Sequence, residues 1–354
     1  MNTKGHEFES GTFLVGCNYW ASHAGTNMWH DWDEEQIDRD FSLLEEHGIR
    51  YLRVFPLWPD FQPLRMHYMV EGQEKELRLG ENPLPHTEAG RAGVDEVMVG
   101  RFRTFCDLAE RHGLSLVVGL VTGWMSGRWY VPEPFRTVNV LTDARAIQWE
   151  VRFVRYMVRT FRDHPAICAW DLGNECNCLG KLERPEEGYV WVNAITSAIK
   201  TEDGTRPVLS GMHGSFPESA FRPEDLGELL DVLCTHPYPL FTPYCDTDPL
   251  TENKSALHAV AETVLYRGLS GKPAFAEEVG TLGPMIASEE NAAAYVNTVL
   301  HLLLAHDCLG FMWWCGFEQS KLTHTPYDWN AVERELGLFR IDMSPKPVLR
   351  TLSD

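Results

Sequence analysis

LLEEHGIRYLRVF (43–55) and LAERHGLSLVVGL (108–120) are two copies of one unit. Each is the end of an amphipathic helix, a His-Gly stop and an apolar run. Glycine after the last helical residue supplies the left-handed conformation that ends a helix. The run that follows is nearly continuous in Val, Leu and Ile rather than alternating, as parallel strands covered on both faces require.

Working outward, the same signal recurs along the chain. Strands are predicted at Thr12–Asn18, Ile49–Phe55, Ser115–Val121, Ile167–Leu172, Pro207–Ser210, Val232–Thr235, Pro273–Glu277 and Gly310–Trp314. Helices stand between them. Asp33 and Gln36 form a capping box ahead of Ile37, Phe41 and Leu44. Ile147, Val151, Val154, Val158 and Phe161 mark another helix, closed by His164-Pro165, and Asn291 to His306 a further one. Eight strand signals with intervening helices predict an α/β protein, a single (β/α)₈ TIM barrel over 1–354. A doubly wound open sheet stays open as an alternative, because periodicity does not count closure. Only Pro345–Leu352 is left for a final helix, which must be short.

The segments following strands are the longer ones, notably Pro56 to Gly93 and Cys315 to Ser344. Loops of that length in a compact domain tend to be functional, and in a barrel the loops after the strands build the active site.

The 354 residues carry 51 acidic and 31 basic side chains, a formal net charge of −20. Phosphate backbones and anionic membranes would repel such a surface, so no nucleic acid and no membrane partner is expected. Neutral substrates fit. MNTKGHEFESGT has no apolar leader core, and no run suits a transmembrane helix. Nine cysteines, odd in number and without a CxxC pair, read as reduced thiols in the cytoplasm. Cys176 and Cys178 straddle one residue, a poor zinc spacing. Neither a metal nor an organic cofactor is expected.

Two carboxylates stand out. Glu175 ends AICAWDLGNE (166–175), just past the fourth strand, and Glu277-Glu278 end PAFAEE (273–278) at the tip of the seventh. Charges at the ends of apolar strands are costly unless they face a polar cleft. Strands four and seven lie across the barrel mouth from one another. Such a pair suits glycosidic cleavage, where an oxocarbenium-like centre needs an anion on one side and a proton donor on the other.

LGNE and AEEVG resemble the fourth- and seventh-strand signatures of glycoside hydrolase family 5 and its clan of (β/α)₈ retaining enzymes. The resemblance extends from Gly16 to Pro347 and implies a role for each matching residue. Glu175 matches the acid/base. Glu278, the glutamate ahead of an apolar residue and glycine, matches the nucleophile, which leaves Glu277 a structural role. Arg53 in YLRVFPLW matches the arginine that supports the nucleophile. Asn174 matches the asparagine that contacts the sugar 2-hydroxyl. His236 and Tyr238 in THPYP match a His-x-Tyr whose tyrosine bonds the nucleophile, and Trp314 in FMWWCG matches a sugar platform. Trp313 beside it serves equally as barrel filling, since neighbours on a strand face opposite ways. Val279 stands where Phe or Tyr is usual. Val121-Thr122-Gly123-Trp124 replaces the third-strand histidine of many family cellulases, so a cellulase-like subsite is not expected.

Twelve tryptophans bear on the substrate, since sugars pack their C–H faces on aromatic rings. Trp20, Trp29 and Trp32 follow the first strand, and Trp124 and Trp129 the third. Trp20 and Trp124 are the expected sugar contacts, with His23, His30 and Asp31 as donors to terminal hydroxyls. An exposed tryptophan patch serves equally as a face for a homo-oligomer. The stretch GCNYWASHAGTNMWHDW resembles the family's β-mannosidase and endo-β-mannanase members. Short β-linked oligosaccharides can be imported into a cytoplasm where polymers cannot, which favours an exo-acting β-mannosidase. An endo-β-1,4-mannanase, a β-glucosidase or β-glucanase, and a carbohydrate-binding barrel without turnover are the alternatives.

Overall fold

The computed structural model describes residues 6–214, 219–241, 247–284, 286–319 and 322–353. Met1–Gly5, where the reading of the leader begins, lie outside them. Eight strands and eight principal helices alternate: β1 (Leu14–Asn18), α1 (Glu34–Glu46), β2 (Tyr51–Val54), α2 (Glu96–Arg111), β3 (Ser115–Gly119), α3 (Ala144–Phe161), β4 (Ile167–Asp171), α4 (Pro185–Glu202), β5 (Val208–Leu209), α5 (Pro223–Leu229), β6 (Leu233–Thr235), α6 (Asn253–Ser270), β7 (Ala274–Val279), α7 (Glu289–Ala305), β8 (Gly310–Trp313) and α8 (Pro347–Ser353). Every strand lies within its expected span, except that β7 runs on to Val279.

The strands form one parallel sheet in the order β5-β4-β3-β2-β1-β8-β7-β6. Its two ends meet through a parallel bridge between Leu209 and Val232, where Asp231 and Val232 N–H donate to Val208 O at 3.1 and 3.3 Å. The sheet is therefore a (β/α)₈ barrel, and the open-sheet alternative falls. Both His-Gly stops behave alike: His47 and His112 cap their helices, and Gly48 and Gly113 take φ of 79° and 62°. Half of the capping box forms. Asp33 accepts from Gln36 N–H at 3.0 Å, while the Gln36 amide turns forward to Asp40 at 2.9 Å. The short α8 packs along α7. Among the described residues no helix is long and apolar enough to cross a membrane.

The barrel interior changes character along its axis. Its lower part is filled by Leu14, Val117, Ala169, Cys234, Phe275 and Met312, with Phe8 edge-on to Phe275 beneath them. Further along the axis, inward positions of β1, β2, β4 and β7 are Asn18, Arg53, Asp171 and Glu277, all fully buried. Side chains alternate with period 2, so a strand that is apolar at one inward position can be charged at the next. The apolar floor excludes water beneath this polar layer, and every charge in it must find a partner there.

Among the buried acids outside the barrel strands, Glu150 is set apart by its partners. Glu150 on α3 is fully buried and accepts from Trp191 Nε1 of α4 at 2.8 Å, while its second oxygen has no partner among the described residues. Burial, with the charge of Asp143, pushes its carboxyl up to about 8. Folding therefore takes up a proton here, and stability falls as pH rises from the ordinary carboxyl range through about 8. Glu150→Gln keeps the acceptor for Trp191 and removes the titration. The variant is expected to melt higher than wild type at pH 9, with no such advantage at pH 5. Equal shifts at both pH values in calorimetry would show that Glu150 does not titrate in this way.

Candidate active site

The paired glutamates at the end of β7 pose a geometric problem, since neighbours on a strand face opposite ways. A bulge resolves it. Between the pairs Ala276–Phe311 and Val279–Trp313, β7 spends one residue more than β8. Bulges re-aim side chains next to functional sites, and here both Glu277 and Glu278 reach the barrel interior. Glu277 is fully buried against Arg53 Nε at 3.3 Å and His236 Nε2 at 3.5 Å. Glu278 stands one layer higher. Tyr238 O–H donates to its Oε1 at 2.7 Å, and Arg53 Nη1 lies 3.4 Å from its Oε2.

Glu175 follows β4 in a left-handed conformation, with φ 47° and ψ 50°. For a residue with a Cβ this costs of order 1–3 kcal/mol and persists only where the surroundings enforce it. Gly173, two residues earlier, passes so close to Val121 that a Cβ would sit 2.2 Å from its carbonyl oxygen. The turn directs Glu175 into the mouth, where Trp124 Nε1 donates to Oε2 at 2.9 Å. His213 Nδ1 and His236 Nδ1 converge on Oε1 at 2.9 and 3.0 Å.

His236 joins the two candidates. Its Nδ1 is 3.0 Å from Glu175 Oε1 and 3.4 Å from Glu278 Oε2. The two oxygens can be no further apart than those contacts laid end to end. Charge is shared accordingly. Burial alone would lower His236, but Glu278 and the hydrogen bonds of Glu175 and Glu277 raise it to about 10. Burial alone would raise Glu175, yet His213 and His236 hold it well below the usual carboxylate range. His213 is raised in return by Glu175, against its own burial. Burial and the charge of Glu175 raise Glu278, opposed by His236, Arg53 and Tyr238.

Arg53 organises the layer below. Its Nε and Nη2 reach Asp171 Oδ2 at 2.9 and 2.8 Å, Nη2 donates to Gly173 O at 3.0 Å, and Nη1 donates to Asn174 Oδ1 at 2.9 Å. A planar five-donor fork can satisfy this many acceptors at once; lysine cannot. Asn174 donates in turn to Trp124 O at 3.1 Å.

The mouth is a cavity of about 320 Å³ lined by Trp124, Asn174, Glu175, His213, Tyr238, Glu278 and Trp314, among others. Trp124 is held edge-on by its bond to Glu175. Trp314 faces the cavity, whereas Trp313 turns away and donates to Leu336 O at 2.9 Å. Trp20 does not reach the cavity: it is buried and stacks on Phe55, 5.3 Å between centroids. Trp29 and Trp32 stack on each other, and Trp29 donates to Phe55 O. His23 contacts Asp31 O at 2.8 Å and His30 pairs with Asp60 at 3.1 Å, so this loop is bonded to itself and to its neighbours. The first-strand tryptophans form packing beneath the mouth because their loop closes down over Phe55 and α2.

Two titratable cavity residues, His213 and Glu333, carry no signal in the sequence reading. His213 follows β5 in VLSGMH, the kind of post-strand position that holds Glu175, and that pattern points to it in retrospect. Glu333 lies in the long segment after β8 with no strand to index it. Its Oε2 accepts from Ser126 Oγ at 3.0 Å and Trp314 Nε1 at 3.2 Å. Ser126-Gly127, at φ 51° and 80°, form the turn of a two-residue hairpin after β3. The bond to Glu333 thus ties the loop after β3 to the loop after β8.

Among the described residues two trios offer ligand atoms within 4.8 Å of one another, Glu175–His213–His236 and the surface group Asp107–Glu110–His164. In the first, the contacts of 2.9 and 3.0 Å on Glu175 are hydrogen bonds. They are shorter than the roughly 3.3 Å between ligands of a tetrahedral zinc, given metal–ligand distances of about 2.0–2.1 Å.

Residues 104–259 match the family model described as glycosyl hydrolases family 2, TIM barrel domain. A probable mannan endo-1,4-β-mannosidase F of Aspergillus oryzae is 25% identical over 213 residues, 54% of this chain and 40% of that protein. The chain spans between 40% and 58% of the length of this relative and the same-named protein of Neosartorya fischeri. Among solved structures, an exo-β-1,4-mannosidase from Opitutaceae bacterium strain TAV5 superposes with a TM-score of 0.80 at 25% identity, over all of this chain and 61% of its own. A GH5_18 protein variant from Streptomyces cattleya, solved with Manβ1-4GlcNAc, gives 0.80 at 21% identity over 97% of this chain and 79% of its own. The second likeness is one of fold.

Proposed function

Given a chain that resembles the β-mannosidase and endo-β-mannanase members of glycoside hydrolase family 5, we propose that it is a retaining glycoside hydrolase removing β-mannosyl units from the ends of short oligosaccharides. One observation carries the reading: two carboxylates from opposite strands meet at a single imidazole nitrogen inside one cavity. Glu278 attacks the anomeric carbon, and the electron pair of the breaking C–O bond leaves on the aglycone oxygen. Glu175 passes to that oxygen a proton that His213 holds 2.9 Å away. Tyr238 and Arg53 steady Glu278, Asn174 meets the 2-hydroxyl, and Trp314 carries the sugar face. Once Glu278 is esterified its charge is gone, and Glu175, held low by the two imidazoles, serves as base for the hydrolytic water.

Exo action is supported by the Ser126–Glu333 bond, which joins two of the loops lining the cavity. The rival reading is endo action, favoured by the names of the curated relatives. We take residues 1–354 as one catalytic barrel and the cytoplasm as its compartment, in keeping with eight free thiols among the described cysteines.

The test is product analysis on β-mannobiose, β-mannotriose and polymeric mannan, beside the matching glucosides. Mannose released from the oligosaccharides, first seen as the β-anomer by NMR, with no loss of mannan viscosity, is the expected result. Rapid viscosity loss would replace exo with endo action, and first release of the α-anomer would exclude retention.

A further inference from the structure

Glu333 is not used by the chemistry above. It makes no hydrogen bond to Glu175 or Glu278 among the described contacts, yet it is the third carboxyl in their cavity. Its two side-chain hydrogen bonds fall on Oε2, and Oε1 has no protein partner among the described residues. Asn330 sits one turn earlier, its carbonyl accepting from Glu333 N–H at 3.2 Å, and it also lines the cavity, its side chain without a hydrogen-bond partner among the described residues.

We propose that Glu333, with Asn330 beside it, is a glycone-reading site that accepts hydroxyl groups of the terminal sugar remote from the bond being cleaved. The inference rests on the glycosidase reading given above. A pyranose stacked on Trp314 presents its ring hydroxyls around the edge of the indole, and Glu333 is bonded to that edge at Nε1. A carboxylate is an expensive choice for tying Ser126 to Trp314. A neutral amide oxygen could accept both bonds without the repulsion of two more acids in the cavity. Burial first, and then the charges of Glu278 and Glu175, push Glu333 up to about 7 against the hydrogen bonds of Ser126 and Trp314. What a carboxylate adds is strong acceptor capacity on the free oxygen, suited to one or two sugar hydroxyls.

The experiment measures kcat and KM on an aryl β-mannoside and its 4-deoxy and 6-deoxy forms, using wild type, Glu333→Ala and Glu333→Gln. Losing a charge-assisted bond to a substrate hydroxyl is expected to lower kcat/KM of Glu333→Ala on the parent by about 10–150-fold. On the analogue lacking the hydroxyl that Glu333 reads, the same substitution is expected to change little. Glu333→Gln, which keeps an acceptor for Ser126 and Trp314, is expected to recover part of the loss. An equal loss on all three substrates would overturn the proposal and leave Glu333 a positioning residue for Trp314. If wild type cleaves another glycone instead, the mannoside reading fails by itself, and the deoxy series of that glycone tests Glu333 in the same way.

Discussion

Glu278→Ala is expected to lower kcat on an aryl β-mannoside by on the order of 10⁴-fold or more, the scale on which loss of a covalent nucleophile acts. The side chain is held from two directions, by Tyr238 O–H at 2.7 Å and Arg53 Nη1 at 3.4 Å. Glu277 is adjacent in sequence but lies one layer lower, committed to Arg53 and His236. Its own replacement should therefore cost folding rather than chemistry, because it leaves Arg53 buried with one fewer counter-charge. The decisive measurement for Glu278→Ala is rescue by azide. A small anion entering the vacated space attacks from the face Glu278 occupied, and the product should be the α-mannosyl azide. Full activity in the variant, or an azide product of β configuration, would remove Glu278 from the nucleophile's place.

Glu175→Gln is expected to cost about 10²–10⁴-fold on β-mannobiose, whose sugar leaving group needs a proton. On a dinitrophenyl mannoside, which departs without protonation, the first step should be nearly spared. Hydrolysis of the glycosyl-enzyme then limits turnover, so KM should fall together with kcat. Azide should restore turnover and give the β-mannosyl azide, the opposite anomer to that from Glu278→Ala. Losses of equal size on both substrates would count against Glu175 as the acid. The histidines add a dependence on pH. Glu175 raises the pKa of His213 above its ordinary value, against the burial of the ring. His213→Asn takes away one of the two imidazoles on Glu175 Oε1 and leaves His236 as the other, and the alkaline limb of kcat/KM should move to lower pH.

The barrel was legible in the chain because its signals are local. A His-Gly stop ends a helix wherever it occurs, and an apolar run buried on both faces reads alike at β2 and β3. The two cavity carboxylates, Glu175 and Glu278, were legible for a related reason. Each is a charge placed at the end of such a run, where only a polar mouth can accept it. The resemblance to a known family then supplied Arg53, Asn174, His236, Tyr238 and Trp314, and the structure brings all five to the polar layer or the cavity wall. Tryptophans were less legible. Trp20, Trp29 and Trp124 share a composition signal, but only Trp124 lines the cavity, since the fold of a loop and not its aromatic content decides which ring faces the substrate.

Closure of the sheet depends on a pairing between Leu209 and Val232, set by the tilt and stagger of all eight strands together, which no periodicity encodes. The bulge that turns both Glu277 and Glu278 inward is a mismatch between two strands, invisible in either one. His213 and Glu333 enter the cavity from segments far from Glu175 and Glu278 in the chain, and their pKa shifts exist only because burial and neighbouring charges act through space. The sequence by itself determined which segments become helix and strand, and which residue types stand at the strand ends. Only the tertiary structure decided which of those residues meet, because that depends on distances between parts of the chain that local patterns do not relate.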